Sequence, residues 1–165
     1  MPLVDALLPE FDHEMSTTRQ VLERVPEDRF SWQPHAKSFS IGTLAAHLAN
    51  LPNWGTETLT KAEIDLTGGQ APSAFASKTE LMTAFDRNTA AMRAALVGKT
   101  DAELLAMWSL KRAGKTMFSM PKTAVLRSFV LSHVIHHRGQ LSVYLRLLDV
   151  PVPSIYGPSA DEPAF

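Results

Sequence analysis

The stretch His133-Val134-Ile135-His136-His137-Arg138-Gly139-Gln140-Leu141 sits inside a longer run with helical periodicity. Leu126, Val130, His133, His137, Leu141, Tyr144 and Leu148 recur at steps of three and four, which places them on one face of a helix. This helix is expected to start near Pro121 and to run to Asp149, where Val150-Pro151 ends it, a length of roughly 40 Å. Two imidazoles therefore occupy consecutive positions on its apolar stripe, with His136 about a quarter-turn away. Burying such polar rings costs stability unless each ring nitrogen finds a partner. Spaced i, i+4, they lie at bite distance for one metal ion.

Working outward from that helix, the prolines divide the chain into further helical segments. Leu8, Phe11, Met15, Thr18, Leu22 and Val25 form one stripe, with Pro9 marking the first turn or a kink. A second helix is expected from about Ile41 to Lys61, capped by Ser38 or Ser40, with Leu44, Leu48, Leu51 and Leu59 inward and a bend at Pro52. The third opens on the capping pattern Ser77-Lys78-Thr79-Glu80, carries Leu81, Phe85, Met92 and Leu96, and stops at Gly98. Thr100-Asp101-Ala102-Glu103 repeats the capping pattern and predicts a short helix through Met107. Lys111 to Met120, with Gly114 placed for a turn, allows a hairpin or an irregular loop and is read as loop. Asp65 to Ala76 is long enough for a crossover, and residues 150–165 read as an irregular tail covering one end. Four long amphipathic helices with no convincing strand and no repeat predict an all-α bundle forming one domain over residues 1–165.

Composition narrows the function. The 165 residues carry 16 basic and 17 acidic side chains, so the sequence-wide basic footprint of a nucleic-acid binder is missing. The absence of cysteine excludes thiol catalysis by the chain, Cys-ligated zinc, iron–sulfur clusters and disulfides. Met1-Pro2-Leu3-Val4-Asp5 lacks a basic n-region, and no stretch approaches the ~20 apolar residues of a membrane span. A soluble, cytoplasmic protein with no nucleic-acid or membrane partner is the expectation.

A metal held by His133 and His137 needs a ligand from another helix. His47 is the one other histidine clearly aimed inward, three residues after Leu44 and four before Leu51; His13 lies off its helix stripe and His35 in a Pro-bounded loop. Three neutral imidazoles suit zinc or nickel foremost, with cobalt, iron or manganese as further candidates, and leave positions open for water or substrate. The bland alternative is that these are hydrogen-bonded core histidines. A zincin peptidase is disfavoured, because His133-Val134-Ile135-His136-His137 lacks the glutamate of H-E-x-x-H.

The last-helix stretch resembles the signature of the DinB-like family of metal-dependent four-helix bundles. Two further blocks carry the resemblance: Trp32 through Gly42 followed by Leu44-Ala45-Ala46-His47-Leu48, and the tail Pro151-Val152-Pro153-Ser154-Ile155-Tyr156-Gly157-Pro158-Ser159. The resemblance implies a DinB-like four-helix bundle, a divalent metal on His47, His133 and His137, an additional histidine at His136 that need not bind it, and a homodimer. It also implies chemistry with a low-molecular-weight thiol as cosubstrate, such as S-transfer to a small electrophile. A hydrolase using metal-bound hydroxide is the competing reading, with Glu14, Asp86 or Asp12 as general base. A metal-binding stress protein without turnover is the third.

Three more residues bear on the site. Arg138 could bind an anionic substrate or a carboxylate, or be an ordinary ion-paired side chain. Gln140 could hydrogen-bond a ligand imidazole or face solvent. Trp54, two turns after His47, could wall a substrate pocket, whereas Trp32 reads as core. Gly139, costly within a helix, is expected where a neighbouring helix approaches closely.

Overall fold

The computed structural model describes residues 1–67 and 74–163. Its main body is helical: α1 (Leu3–Glu23), α2 (Ile41–Thr60), α3 (Lys78–Leu96), α4 (Asp101–Leu105), and a C-terminal rod made of α5 (Lys122–Val125), a π-helical segment (Leu126–Leu131) and α6 (Ser132–Leu147). Both α1 and α2 pack against α3 and α6, so the four long helices enclose one core. Phe11, Met15, Leu22, Leu44, Leu48, Leu81, Phe85, Met92, Val130 and Leu141 fill it. These are the stripe residues, and burying them is the dominant stabilising term. Pro9 and Pro52 lie within α1 and α2.

Local sequence sets the helix ends. Ser40 caps α2 by accepting from Thr43 N, and Ser77 caps α3 by accepting from Glu80 N. The Glu80 carboxylate reaches back to Ala76 N, one residue short of a full capping box. Thr100 and Glu103 form the complete box at α4. α2 and α3 come unusually close at Gly55, where a Cβ would fall 2.2 Å from Met92 Sδ. At this point the absence of a side chain is a packing requirement.

Two expectations are corrected beside α4. The short helix ends at Leu105, and Lys111 to Met120 is not loop. Met107–Arg112 (β2) and Lys115–Pro121 (β3) pair antiparallel, and Glu63–Asp65 (β1) adds to β2 in parallel, giving a small sheet in the order β1-β2-β3. The reason is the turn. Ala113 (φ 51) and Gly114 (φ 75) both adopt left-handed conformations, the pattern of a two-residue hairpin turn. The Asp65 carboxylate then accepts from Ala113 N at 3.0 Å and Gly114 N at 2.7 Å, pinning the tip to β1. The region expected to hold a crossover includes residues 68–73, which lie outside the described residues.

The rod runs unbroken from 122 to 147 apart from its π segment, whose i→i+5 bonding rotates the faces of the following turns. As a result the buried side is Val125, Leu126, Val130, Leu131, Val134, Arg138, Leu141 and Leu145, while Tyr144 and Leu148 are only half-buried. His133 and His137 flank that side. Gly139 is solvent-exposed with nothing within 4 Å of a would-be Cβ, so no helix approaches it and the packing role expected for it is absent. The tail from residue 150 is irregular, held by Arg24–Glu162 at 2.5 Å and by Asp161, which pairs with Arg146 and accepts from Val152 N. No described helix is long and apolar enough to cross a membrane.

Candidate metal centre

α2 delivers His47 and α6 delivers His133 and His137 to one half-buried point. The Nε2 atoms of His47 and His133 are 3.2 Å apart, and those of His133 and His137 are 2.8 Å apart. Ring centroids are separated by 4.6 to 4.9 Å. Three nitrogens bound to one ion at about 2.0–2.1 Å, at angles between octahedral and tetrahedral, would be separated by about 2.8–3.4 Å. The observed spacing falls close to that range.

Proton placement sharpens this reading. Gln140 Oε1 lies 2.7 Å from His137 Nδ1, so Nδ1 carries the proton and donates it. The His137 Nε2 lone pair therefore faces inward, 2.8 Å from His133 Nε2, where a proton or a cation can take it. Outer hydrogen bonds of this kind are how metal-binding histidines are oriented.

Electrostatics keeps the rings uncharged. Burial, then the facing imidazoles of His137 and His133, pushes His47 down to about 4. Burial also lowers His133 and His137. All three are neutral near pH 7, the state in which imidazole binds a transition ion. His136 is exposed, its ring 4.9 Å from that of His137 but outside the cluster; His13 and His35 lie elsewhere and exposed.

Arg138 takes no part in the pocket. Its side chain is 1% exposed, and its guanidinium meets the Glu14 carboxylate at 2.7 Å, Glu14 O at 3.0 Å and Tyr156 Oη at 2.6 Å. It follows His137 by one position, about 100° around the helix, and so faces α1 instead of the cluster. The carboxylates considered as general bases are also engaged elsewhere: Glu14 by Arg138 and Tyr156, Asp12 by Arg93, Asp86 by Arg19. Among the described residues, no carboxylate joins the three histidines. Trp54 is half-buried and walls an apolar slot two turns from His47. Trp32 packs edge-on against Tyr144 at 5.7 Å.

Sequence reading missed the partners that give these residues their roles. The hairpin residues Trp108 and Phe118 were signalled by the Ala113-Gly114 turn between two short runs. Nothing local pointed to Glu14 and Tyr156 as partners of Arg138, because both are more than a dozen residues away in sequence.

A helical bundle with three inward-facing imidazoles shared between its second and last helices is the class this geometry defines. The chain belongs to the DinB family, which residues 1–164 match. Its fold resembles that of a DinB-like protein from Bacillus cereus (TM-score 0.71, 21% identity, covering 92% of this chain and 97% of that one). It also resembles a DinB-like protein, YjoA, from Bacillus subtilis (TM-score 0.67, 20% identity, 88% and 95% covered). The uncharacterized protein YrdA of Bacillus subtilis is 44% identical over 43 residues, a match spanning about a quarter of each chain.

Proposed function

We propose that this protein is a metal-dependent enzyme acting on a small molecule, specifically an S-transferase that moves a low-molecular-weight thiol onto an electrophile. His47, His133 and His137 would hold one divalent transition ion, with zinc or nickel the best fit to three imidazoles and cobalt, iron or manganese next. The observation that carries the proposal is the convergence of the Nε2 atoms of His47, His133 and His137, with the His137 ring oriented by Gln140 at its far nitrogen. A bound ion would lower the pKa of a thiol or water molecule at its open position. The chain's own part is to present three neutral donors, which add no negative charge and leave the site attractive to an anionic sulfur. Gln140 holds the His137 ring in place.

The chain has no cysteine, so a sulfur nucleophile would have to arrive as cosubstrate. One observation favours thiol transfer over hydrolysis. The carboxylates suited to activate water are tied up in ion pairs with Arg138, Arg93 and Arg19. A thiol cosubstrate belongs to a reducing compartment, so the cytoplasm and a homodimer, both expected from the sequence, remain part of this reading.

The test is to load the protein with zinc or nickel and assay two reactions: conjugation of small thiols to an electrophile, and hydrolysis of esters without thiol. Metal-dependent conjugation that disappears in His47→Ala supports the proposal. Ester hydrolysis without thiol would establish the hydrolase reading instead, and a fully loaded protein inert in both assays would be a binding protein without turnover.

A further inference from the structure

One buried charged group lies outside the histidine pocket yet directly follows one of its members in the chain. Arg138 is 1% exposed, and both arms of its guanidinium fork are engaged. Nη2 meets the Glu14 carboxylate at 2.7 Å and Tyr156 Oη at 2.6 Å, while Nη1 donates to Glu14 O at 3.0 Å and to Thr18 Oγ1 at 3.2 Å. Tyr156 Oη in turn donates to the Glu14 carboxylate at 2.8 Å. The partners therefore come from two successive turns of α1 and from the tail.

Stability alone is a weak account of this cluster. Taking a guanidinium and a carboxylate out of water offsets much of their attraction, so well-packed apolar side chains of similar volume often serve a core equally well. What apolar side chains lack is direction. Val134, Leu141 and Leu145 bury α6 through contacts that a small rotation of the helix barely changes. A planar fork bonded through both arms to a second helix fixes rotation and axial position together. The histidines need that precision. His137 lies one residue before Arg138 and His133 one turn earlier, so rotating α6 about its axis moves both rings at once. Side-chain atoms lie about 5–6 Å from a helix axis, and a rotation of about 10° displaces them by about 1 Å. Metal–ligand distances tolerate only about 0.2 Å.

We infer that the Arg138–Glu14–Tyr156 cluster positions the histidine centre, setting the rotation of α6 so that His133 and His137 meet His47 of α2. Arg138 and Tyr156 are positioning residues that act through the helix and touch no ligand of the centre. The tail thereby belongs to the support of the site, because Tyr156 completes the bonding of both charged partners. The consequence for metal affinity rests on the proposed metal centre; the effect on ring placement does not.

The test compares the parent with the double variant Glu14→Leu, Arg138→Met, with Tyr156→Phe, and with Leu104→Ala, a core truncation on α4 that lowers stability and leaves the cluster intact. Zinc affinity is read by competition with a chromophoric chelator, and the geometry of the centre by the visible bands of bound cobalt. The double variant keeps an apolar pair in the core, yet it should bind zinc about tenfold more weakly and change the cobalt bands in position or intensity. Tyr156→Phe should lose about threefold. Leu104→Ala should match the parent in both readouts despite a lower urea midpoint. Parent-like affinity and cobalt bands in the cluster variants would overturn the inference, as would an equal loss in Leu104→Ala. Tyr156→Phe decides the matter if the double variant does not fold. In 15N-labelled protein without metal, the cluster variants should shift the ring signals of His133 and His137, and unmoved signals count against the inference as well. A parent that retains no zinc while these signals shift sinks the metal reading alone.

Discussion

Arg138 and Glu14 form an ion pair at 2.7 Å between α6 and α1, with side chains 1% and 7% exposed, and Tyr156 Oη bonds both partners. The pair locks the rotation of α6 immediately after His137, and it fastens the tail to the bundle through Tyr156. Three distant segments thus meet at one buried charge cluster.

Removing one partner of such a pair strands the other without water. Arg138→Ala should therefore destabilise the protein by about 3–5 kcal/mol, read as a lower urea midpoint. Replacing both charges with apolar residues, Glu14→Leu with Arg138→Met, should recover part of that loss. A single variant as stable as the parent would show that the cluster is slack in solution.

Metal occupancy should follow the three-histidine cluster. Alanine at His47, His133 or His137 should cut zinc retention sharply in elemental analysis, whereas His13→Ala and His35→Ala should not. Gln140→Ala should weaken retention by about 10–100-fold, because it removes the bond that orients His137. Full occupancy in the His133→Ala, His137→Ala double variant would rule the site out.

Acid should weaken the metal-free protein through His47. Its folded-state value of about 4 lies below the ordinary 6.5, so the unfolded chain takes up the proton first as pH falls. The stability contributed by a neutral His47 is complete above about pH 6.5 and is lost progressively as the pH drops toward 4. Thermal melts between pH 7 and pH 4 should show this loss, and His47→Gln should flatten that part of the profile. Zinc affinity should fall as the pH approaches about 4 and the folded protein's His47 takes up its proton, since ligands must be deprotonated.

Chelation should lower the melting temperature without unfolding the bundle. An ion that binds only the folded form adds about 2.7 kcal/mol at a hundredfold excess over Kd. The core of Phe11, Leu48, Phe85 and Leu141 is independent of the histidines. Helical circular dichroism at 25 °C should survive chelation; its loss would make the metal structural.

The hairpin turn leaves room for improvement. Ala113 sits at φ 51, a conformation that favours asparagine or glycine over alanine. Ala113→Asn, giving Asn-Gly at the turn, should raise stability by about 0.5–1 kcal/mol in denaturant titrations. Asp65→Ala should act in the opposite direction, because the backbone N–H groups of Ala113 and Gly114 lose their acceptor.

By itself the sequence determined the four long helices, the caps at Ser77 and, for the short α4, at Thr100, a choice of Ser38 or Ser40 at the second helix, and the three histidines that converge. Each depends on periodicity or on a side chain bonding its own helix end, and these interactions span only a few residues. Tertiary structure decided the rest. The π segment at Leu126–Leu131 shifted which residues of the rod face the core, an outcome set by packing along its whole length. The hairpin was misread because it is stabilised by the parallel strand Glu63–Asp65 and by Asp65 at its tip, about fifty residues away. The sequence leaves Arg138 open between an anion-binding and an ion-paired role, and the structure makes it a buried ion pair whose partners Glu14 and Tyr156 come from the two ends of the chain. Local patterns specify which face of a helix is apolar; only the assembled bundle specifies what each polar residue on that face meets.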